Sequence, residues 1–514
     1  MNAITSTELR LDGALQGTAG EYGPDLADVV DRFLLVARMQ PEHPAVVSPR
    51  EVLSYGALEH RVRLLAAQFA QVAEPCVLVA LPQGADAYAA MLAAGLAGGH
   101  YTPLNVAAPP AKLRRVAEQL RPDFIVGSPE TTAGLMVGGA VCVDPEHLAP
   151  LAPFEGTGER HARAYTIFTS GSTGAPKGVM VGRAALNHYV QWLGESVGFG
   201  PGDRVSQFPN IAFDLSVMDI YGALCFGASL HPVTGQGDRL MPARMIERER
   251  ITVAIFVPSV ISLMMRVREA SARRLGTVRR FVVCGEALRP AQVEAVFAAC
   301  PDAVLQNTYG PTEATVSMTS LELRAGDYAR ACGATVAIGD AIAGMGLHLL
   351  GGPHPDEGEI VITGPQLARG YLGDPAKTAA AFREVLVEGE RVLGYHTGDW
   401  AERRGGQVFF RERVDFQVKV HGFRIELDEI ADAFARSGWP VVCVFKRGEG
   451  LAAVVERRDG AEPDLVALRH ALLERIEAHA VPEEIRAIDA MPRNDNDKVD
   501  RAQAMAWFEA AAAA

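Results

Sequence analysis

No CxxC pair occurs in this 514-residue chain, whose seven cysteines lie scattered at positions 76, 142, 225, 284, 300, 332 and 443. An odd number without that spacing argues against a disulfide framework and against a zinc site. Most of them read as small buried hydrophobes. Also missing is any Lys/Arg block that would track a phosphate backbone. The 49 basic residues stand against 62 acidic ones, a formal net charge of −13, which argues against nucleic acid as a partner. The first residues carry Glu8, Arg10 and Asp12 where a signal peptide needs an apolar core. The longest apolar-looking run, YAAMLAAGLAGG (88–99), is too short and too rich in Ala and Gly to span a bilayer. Together these absences predict a cytoplasmic protein with no membrane partner.

What is present is an alternating texture in a chain too long for one ordinary core, which implies at least two domains. Short β-rich runs, CVLVALP (76–82), DFIVG (123–127), TVAIFVP (252–258) and RFVVCGE (280–286), alternate with stretches of helical period such as ALEHRVRLLAAQFAQV (57–72) and AKLRRVAEQL (111–120). That order predicts α/β layers with largely parallel sheets. From about residue 353 the texture changes to Gly-rich turns and short strands, as in a meander or small barrel. Beyond Asp415 a smaller pattern follows: a strand, a helix over 428–438, the strand VVCVFKR, a helix over 464–479, a polar loop and a short Ala-rich helix. The fold class expected is a multi-lobed α/β N-terminal domain, residues 1–414, with layered sheets, helices and a small β-barrel-like lobe. A small mobile α+β C-terminal domain, residues 415–514, follows it.

Residues 168–178 read FTSGSTGAPKG. Gly171 and Gly174 let backbone N–H groups turn inward, the hydroxyls of Thr169, Ser170, Ser172 and Thr173 add donors, and Lys177 adds charge. Such a loop can wrap polyphosphate oxygens. It is not the GxxxxGK[ST] loop of nucleoside triphosphatases, because Gly171 and Gly174 precede Pro176-Lys177-Gly178. The order TSGSTGxPKG instead resembles the phosphate loop of the adenylate-forming superfamily, which includes acyl-CoA synthetases, luciferases and the adenylation domains of nonribosomal peptide synthesis. Further strings recur in that family's order: LSYGAL (53–58), AGGHYTPLN (97–105), NTYGPTEAT (307–315), EGEIVITGPQLARGYL (357–372), YHTGDW (395–400), RERVDFQVKVHGFRIELDEI (411–430) and MPRNDNDKVDR (491–501).

The resemblance implies ATP and Mg2+ as cofactors and an acyl adenylate as product. Bringing a carboxylate against the α-phosphate sets two anions together, so the site must supply positive charge and orientation. By resemblance, Glu313 would help hold Mg2+, a hard cation suited to oxygen ligands, and Thr312 would contact the α-phosphate. Tyr309 would stack on adenine, with Asn307 near its rim and Thr308 and Gly310 beside it. Asp399 would accept both ribose hydroxyls, and Arg413 would reach the same sugar or phosphate region. Lys498 would bridge substrate carboxylate and α-phosphate as charge builds, a contact whose removal costs ~10²–10³ in rate. The family usually has Gly directly before this lysine, whereas this chain has Asp497. Asp415 falls at the family hinge. Rotation there would present Lys498 for adenylation and then another face, around Gly422, for thioester formation, Gly422 leaving room for a pantetheine arm.

FDLSVMDIY (213–221) bears on the substrate. In amino-acid-activating members an aspartate at the position of Asp214 pairs with the α-ammonium; at an effective dielectric near 20 a contact at ~4 Å is worth about 4 kcal/mol before desolvation. The family's pocket positions carry over as Leu215, Met218, Ile255, Val282, Cys284, Thr308, Val316 and Ser317, a small apolar lining without charge. Alanine is the substrate expected first, then glycine or serine. The strings FDLSVMDIY, CGE (284–286) and NTYGPTEAT resemble those of D-alanine:D-alanyl carrier protein ligases, and the hand of alanine stays open. No GGxS phosphopantetheine site occurs in the chain, so the expected acceptor is a separate carrier protein in trans. Two rival readings are an acyl- or aryl-CoA synthetase using coenzyme A and a catalytically degenerate adenylate-binding protein.

Overall fold

Strands form where the apolar runs predict them, and their burial follows from what covers them. The structure, a computed structural model, describes residues 28–156, 162–170, 176–413, 417–457, 462–493 and 499–513. These divide into two units, one within Met1–Val106, Ala117–Ile167 and Gly178–Glu412, the other within Ala107–Val116, Phe168–Lys177 and Arg413–Ala514.

The larger unit is organised on a nine-stranded sheet in the order Asp340–Ala341, Thr319–Leu323, Val304–Tyr309, Arg280–Val283, Val253–Phe256, Arg204–Gln207, Ser229–Pro232, Pro44–Val47 and Val52–Ser54. The six strands from Val304–Tyr309 to Pro44–Val47 run parallel, and antiparallel strands close both edges. Val253–Phe256 is buried at every residue, as a parallel strand covered on both faces must be. A second sheet of six strands has the order Val141–Val143, Phe124–Val126, Cys76–Val79, His100–Pro103, Arg163–Thr169, Lys177–Gly182.

Helices fill the faces for sequence-legible reasons. Tyr55–Phe69 starts where the Ser54 hydroxyl accepts from the Ala57 N–H, and it buries Tyr55, Leu58, Val62, Leu65 and Phe69 along one stripe. The Ala-rich run expected to be too short for a membrane is the helix Ala85–Leu96, in which every residue but Asp86 is buried. A helix apolar all round belongs inside a core. No described helix is long and apolar enough to cross a membrane. The β-rich stretch past residue 346 is a five-stranded sheet of Gly346–Gly351, Glu357–Thr363, Glu390–Arg404, Phe382–Val387 and Gln407–Arg413.

The smaller unit has the hairpin Gln417–Val420/Phe423–Glu426 and a three-stranded sheet of Val442–Arg447, Gly450–Glu456 and Glu484–Ile488. Its core joins Ile430, Phe434, Val444, Val455, Leu468, Leu472 and Ile476. The helix expected over 464–479 is shorter: it spans Leu465–Leu473, and Ala478–Ala480 forms a separate 3-10 turn. There the His479 ring stacks on Phe423 at 3.5 Å between centroids, so tertiary packing overrides the local helical period.

Candidate active site

In open parallel sheets, ligands bind beyond the carboxyl ends of the strands. Phe256, Val283 and Asn307 stand side by side in register at those ends, so the residues at and just beyond them share one rim. Five of the expected pocket residues lie on these three strands or next to them: Ile255, Val282, Cys284, Thr308 and, beyond the turn, Val316. Ile255 and Val282 are direct cross-strand partners and fully buried. The Thr308 hydroxyl donates to the Val283 carbonyl at 3.1 Å, and the Cys284 Sγ lies 4.0 Å from the Val316 carbonyl. Thr315 and Val316, both β-branched, have φ of 55° and 69°, a left-handed backbone that such side chains rarely adopt. That conformation is stored strain at the pocket wall. Gly310 permits this wall: a Cβ there would sit 2.5 Å from the Ser317 Cα.

The helix Leu215–Leu224 supplies another side. Leu215 and Met218 are buried, and Asp214 occupies the N-cap position without making a side-chain capping hydrogen bond to its helix. Burial, and then the Asp214 carboxylate, push the Tyr165 hydroxyl well above the ordinary tyrosine range. Burial likewise raises Tyr189, whose environment includes Cys284, Asp214 and Asp219. Ser317 donates to the Tyr189 hydroxyl at 3.4 Å. The structure therefore brings Asp214, Cys284 and Ser317 to one place around Tyr189, a residue the motif strings did not single out. Its signal, a tyrosine in the helix Arg183–Val197, is indistinguishable in sequence from a core aromatic. Asp219 on the same helix as Met218 is fully buried, with neither carboxylate oxygen hydrogen-bonded among the described residues. Burial raises its pKa well above the usual carboxylate range.

On the nucleotide side, the Tyr309 hydroxyl donates to Asp399 Oδ2 at 2.5 Å, both residues being buried. Asp399 is aimed by a bulge: Glu359 pairs with Trp400 and Val361 with His396, so three residues face one. Within it the Thr397 hydroxyl donates to the Ile360 carbonyl and accepts from the Asp399 N–H. The ring assigned to the base and the acid assigned to the ribose thus form one connected pair. The Asn307 amide donates to the Ala337 carbonyl at 2.8 Å.

Thr312 and Glu313 lie on the 3-10 turn Thr312–Ala314, and Glu313 is fully buried. Among the described residues no group of three or more His, Cys, Asp or Glu side chains could hold a metal by itself. A single buried carboxylate fits Mg2+, which keeps waters and takes phosphate oxygens as its other ligands. When bound, that ion neutralises charge on the phosphates.

In the smaller unit, Thr169 ends the strand Arg163–Thr169 and Lys177 begins the next. The buried Thr169 hydroxyl has no hydrogen-bond partner among the described residues. The Ser170 hydroxyl donates to the Arg424 carbonyl at 2.6 Å. Arg413 ends the strand Gln407–Arg413. Gly422 follows His421 in the two-residue turn of the hairpin, with φ of 81° and 50°; a mirror-image hairpin turn by itself calls for glycine there. Gly171, Ser172, Thr173, Gly174, Asp415, Asp497 and Lys498 lie outside the described residues. Arg493 and Val499, on either side of Lys498, form an isolated antiparallel bridge.

A model of the AMP-binding enzyme family matches residues 33–372. A D-alanine–D-alanyl carrier protein ligase of Staphylococcus epidermidis is 29% identical over 495 residues, covering 93% of this chain and 98% of that protein. A ligase of the same name from Staphylococcus aureus is 28% identical over 492 residues, with the same coverage. Among solved structures, IdnL7 has a TM-score of 0.71 at 30% identity, covering 94% of this chain and 99% of its own. Holo-PA1221, a nonribosomal peptide synthetase protein containing adenylation and PCP domains, has a TM-score of 0.80 at 25% identity, covering 93% and 84%. The adenylation domain AlmE of Vibrio cholerae, in complex with glycyl-adenosine-5'-phosphate, has a TM-score of 0.80 at 24% identity, covering 95% and 99%. The layered α/β architecture expected from the sequence is thus that of adenylation domains. With its family match spanning well over half its length, the chain belongs to the AMP-binding enzyme family and is an ATP-dependent adenylate-forming ligase.

Proposed function

We propose that this enzyme activates a small amino acid, alanine foremost, as aminoacyl-AMP and then passes it to the phosphopantetheine thiol of a separate carrier protein. The observation that carries the reading is Asp214, half-buried at the start of the helix that carries Met218, together with the burial of Met218, Ile255, Val282 and Cys284. An anion placed for an ammonium group above a tight apolar floor favours a short zwitterion over a fatty or aryl acid. The names of the two ligases similar in sequence support alanine and a carrier as its destination.

In this reading the Asp214 carboxylate orients the substrate amine, so that the substrate carboxylate faces the α-phosphate. Asp399, held by Tyr309, accepts the ribose hydroxyls, while Thr169, Ser170 and Lys177 with the loop between them hold the outer phosphates. Thr312 contacts the α-phosphate, and Glu313 is the protein's ligand for Mg2+. Lys498 places its ammonium where negative charge grows as substrate oxygen attacks phosphorus and pyrophosphate leaves. The boundary between catalytic core and mobile domain falls between residues 414 and 415. Asp415 is the hinge, and Gly422 borders the path of the pantetheine arm. In this reading the reaction belongs to the cytoplasm, where ATP is supplied and thiols stay reduced.

ATP–pyrophosphate exchange tests the assignment. It is expected with D-alanine, L-alanine, glycine or serine, one of them leading, and not with acetate, fatty acids or benzoates. Equal exchange with acetate would remove the role of Asp214. The Lys498→Ala variant is expected to lose exchange by about 10²–10³-fold while still binding ATP; undiminished exchange would refute its catalytic role.

A further inference from the structure

Glu313 is a fully buried carboxylate, and a buried acid keeps one geometry only if its surroundings hold it there. Its Oε1 accepts a hydrogen bond from the Tyr371 hydroxyl at 2.9 Å, within the buried interior. Its backbone carbonyl accepts from the Ala368 N–H at 2.8 Å. Both contacts come from the same short segment, 368–372. That segment is itself tied to the strand that leaves the glycine-rich loop. Arg369 donates to the Met180 carbonyl, Met180 to the Gly370 carbonyl and Leu372 to the Gly178 carbonyl, at 2.8, 3.0 and 2.8 Å. Val179 and Tyr371 form an antiparallel bridge. The tyrosine ring is wedged edge-on against Phe382, 6.0 Å between centroids, and its own N–H donates to the Thr378 hydroxyl at 2.9 Å. Ring and backbone are thereby fixed independently of Glu313, which is what a residue that aims another side chain requires.

We propose that Tyr371 is a positioning residue: its hydroxyl aims the Glu313 carboxylate, and the segment 368–372 keeps that acid in register with the strand leaving the phosphate loop. The inference rests on the reading of Glu313 as the protein's Mg2+ ligand and names what gives that ligand its geometry. A tyrosine hydroxyl donating to a carboxylate fixes which oxygen lone pairs stay turned toward a cation, without adding a positive charge that would compete with it.

The test compares Tyr371→Phe with Glu313→Gln in the full-length enzyme. Tyr371→Phe keeps the ring and its packing, so the fold is retained and thermal melting checks that it is. Two readouts are followed: the Mg2+ concentration giving half-maximal pyrophosphate exchange at fixed total ATP, and Mn2+ binding in the presence of a non-hydrolysable ATP analogue, read by water-proton relaxation. Losing the partner of a metal-ligating group weakens metal affinity by about tenfold or more. Tyr371→Phe is expected to shift both curves by roughly that factor, to recover most of its exchange rate at saturating Mg2+, and to leave the KM for the amino acid unchanged. Unshifted metal curves in Tyr371→Phe, with Glu313→Gln shifted, would overturn the positioning role and leave Glu313 as ligand. A fall in melting temperature with a rate loss that extra Mg2+ does not restore would also overturn it. Unshifted metal curves in Glu313→Gln would remove the ligand reading itself, and the positioning role with it.

Discussion

Asp214 and Asp219 stand at the start and in the middle of one short helix, and packing buries them to different depths. Asp214 is half-buried at the helix start. Asp219 is fully buried with no hydrogen-bond partner among the described residues, and desolvation holds its proton on. The motif FDLSVMDIY shows both acids but not this difference, because burial is a property of the packed helix and not of the letters. The consequence for stability has a definite sign. The unfolded chain releases this proton above about pH 3.9, whereas the folded protein retains it. The folded state therefore loses stability as pH rises from there toward the raised folded-state pKa, by roughly 1.4 kcal/mol per pH unit. Asp219→Asn cannot ionise, so its stability is expected to fall less steeply from pH 5 to pH 8 in urea titrations. Parallel pH profiles for the two proteins would contradict a protonated Asp219. Cys284 illustrates the same limit from the other side. Its position was legible from the string CGE, but its closeness to the Val316 carbonyl depends on a left-handed backbone at 315–316 that no residue type there predicts.

At the level of elements, the parallel strands were legible because runs such as TVAIFVP are apolar on both faces, and only a covered strand tolerates that. The bulge that aims Asp399 was not legible, because an extra pair of residues in one strand is defined only by its partner strand. The shortened helix Leu465–Leu473 is a similar case. Its period continues past residue 473, but the stacking of His479 on Phe423 sets a different backbone beyond Ile476. Burial, with the Lys112 and His421 charges opposing protonation, pushes His479 down to about 4, although Glu477 pulls the other way. The unfolded chain protonates below about pH 6.5 while the folded one resists. The stabilisation is therefore present above that pH and lost as pH falls from 6.5 through about 4. Hydrogen-exchange protection, taken relative to the intrinsic exchange rate at each pH, is expected to fall in Leu465–Leu473 and in the hairpin Gln417–Val420/Phe423–Glu426 as pH drops across that interval in the wild type. A His479→Phe variant should keep the stack and lose most of this acid sensitivity; equal sensitivity in both would place the titrating group elsewhere.

For the whole molecule, each unit has a core of its own, and the larger unit keeps its pocket and its ribose-side acid within one body. A nucleotide that binds only the folded enzyme stabilises it by mass action, about 2.7 kcal/mol at a hundredfold excess over Kd. ATP is thus expected to raise the melting temperature in a concentration-dependent way, and Asp399→Ala to abolish most of that rise, measured from the variant's own melting temperature without ligand. An undiminished rise in Asp399→Ala would detach that acid from the nucleotide. The amino-acid sequence by itself determined the layered α/β architecture and the family, because periodicity and motif order are carried by residue types at fixed spacings. Only the tertiary structure decided which of the two acids is fully buried, that Tyr309 donates to Asp399 and Tyr371 to Glu313, and that Ser317 meets Tyr189. Those outcomes depend on burial and on distances between residues far apart in the chain, and neither is encoded locally.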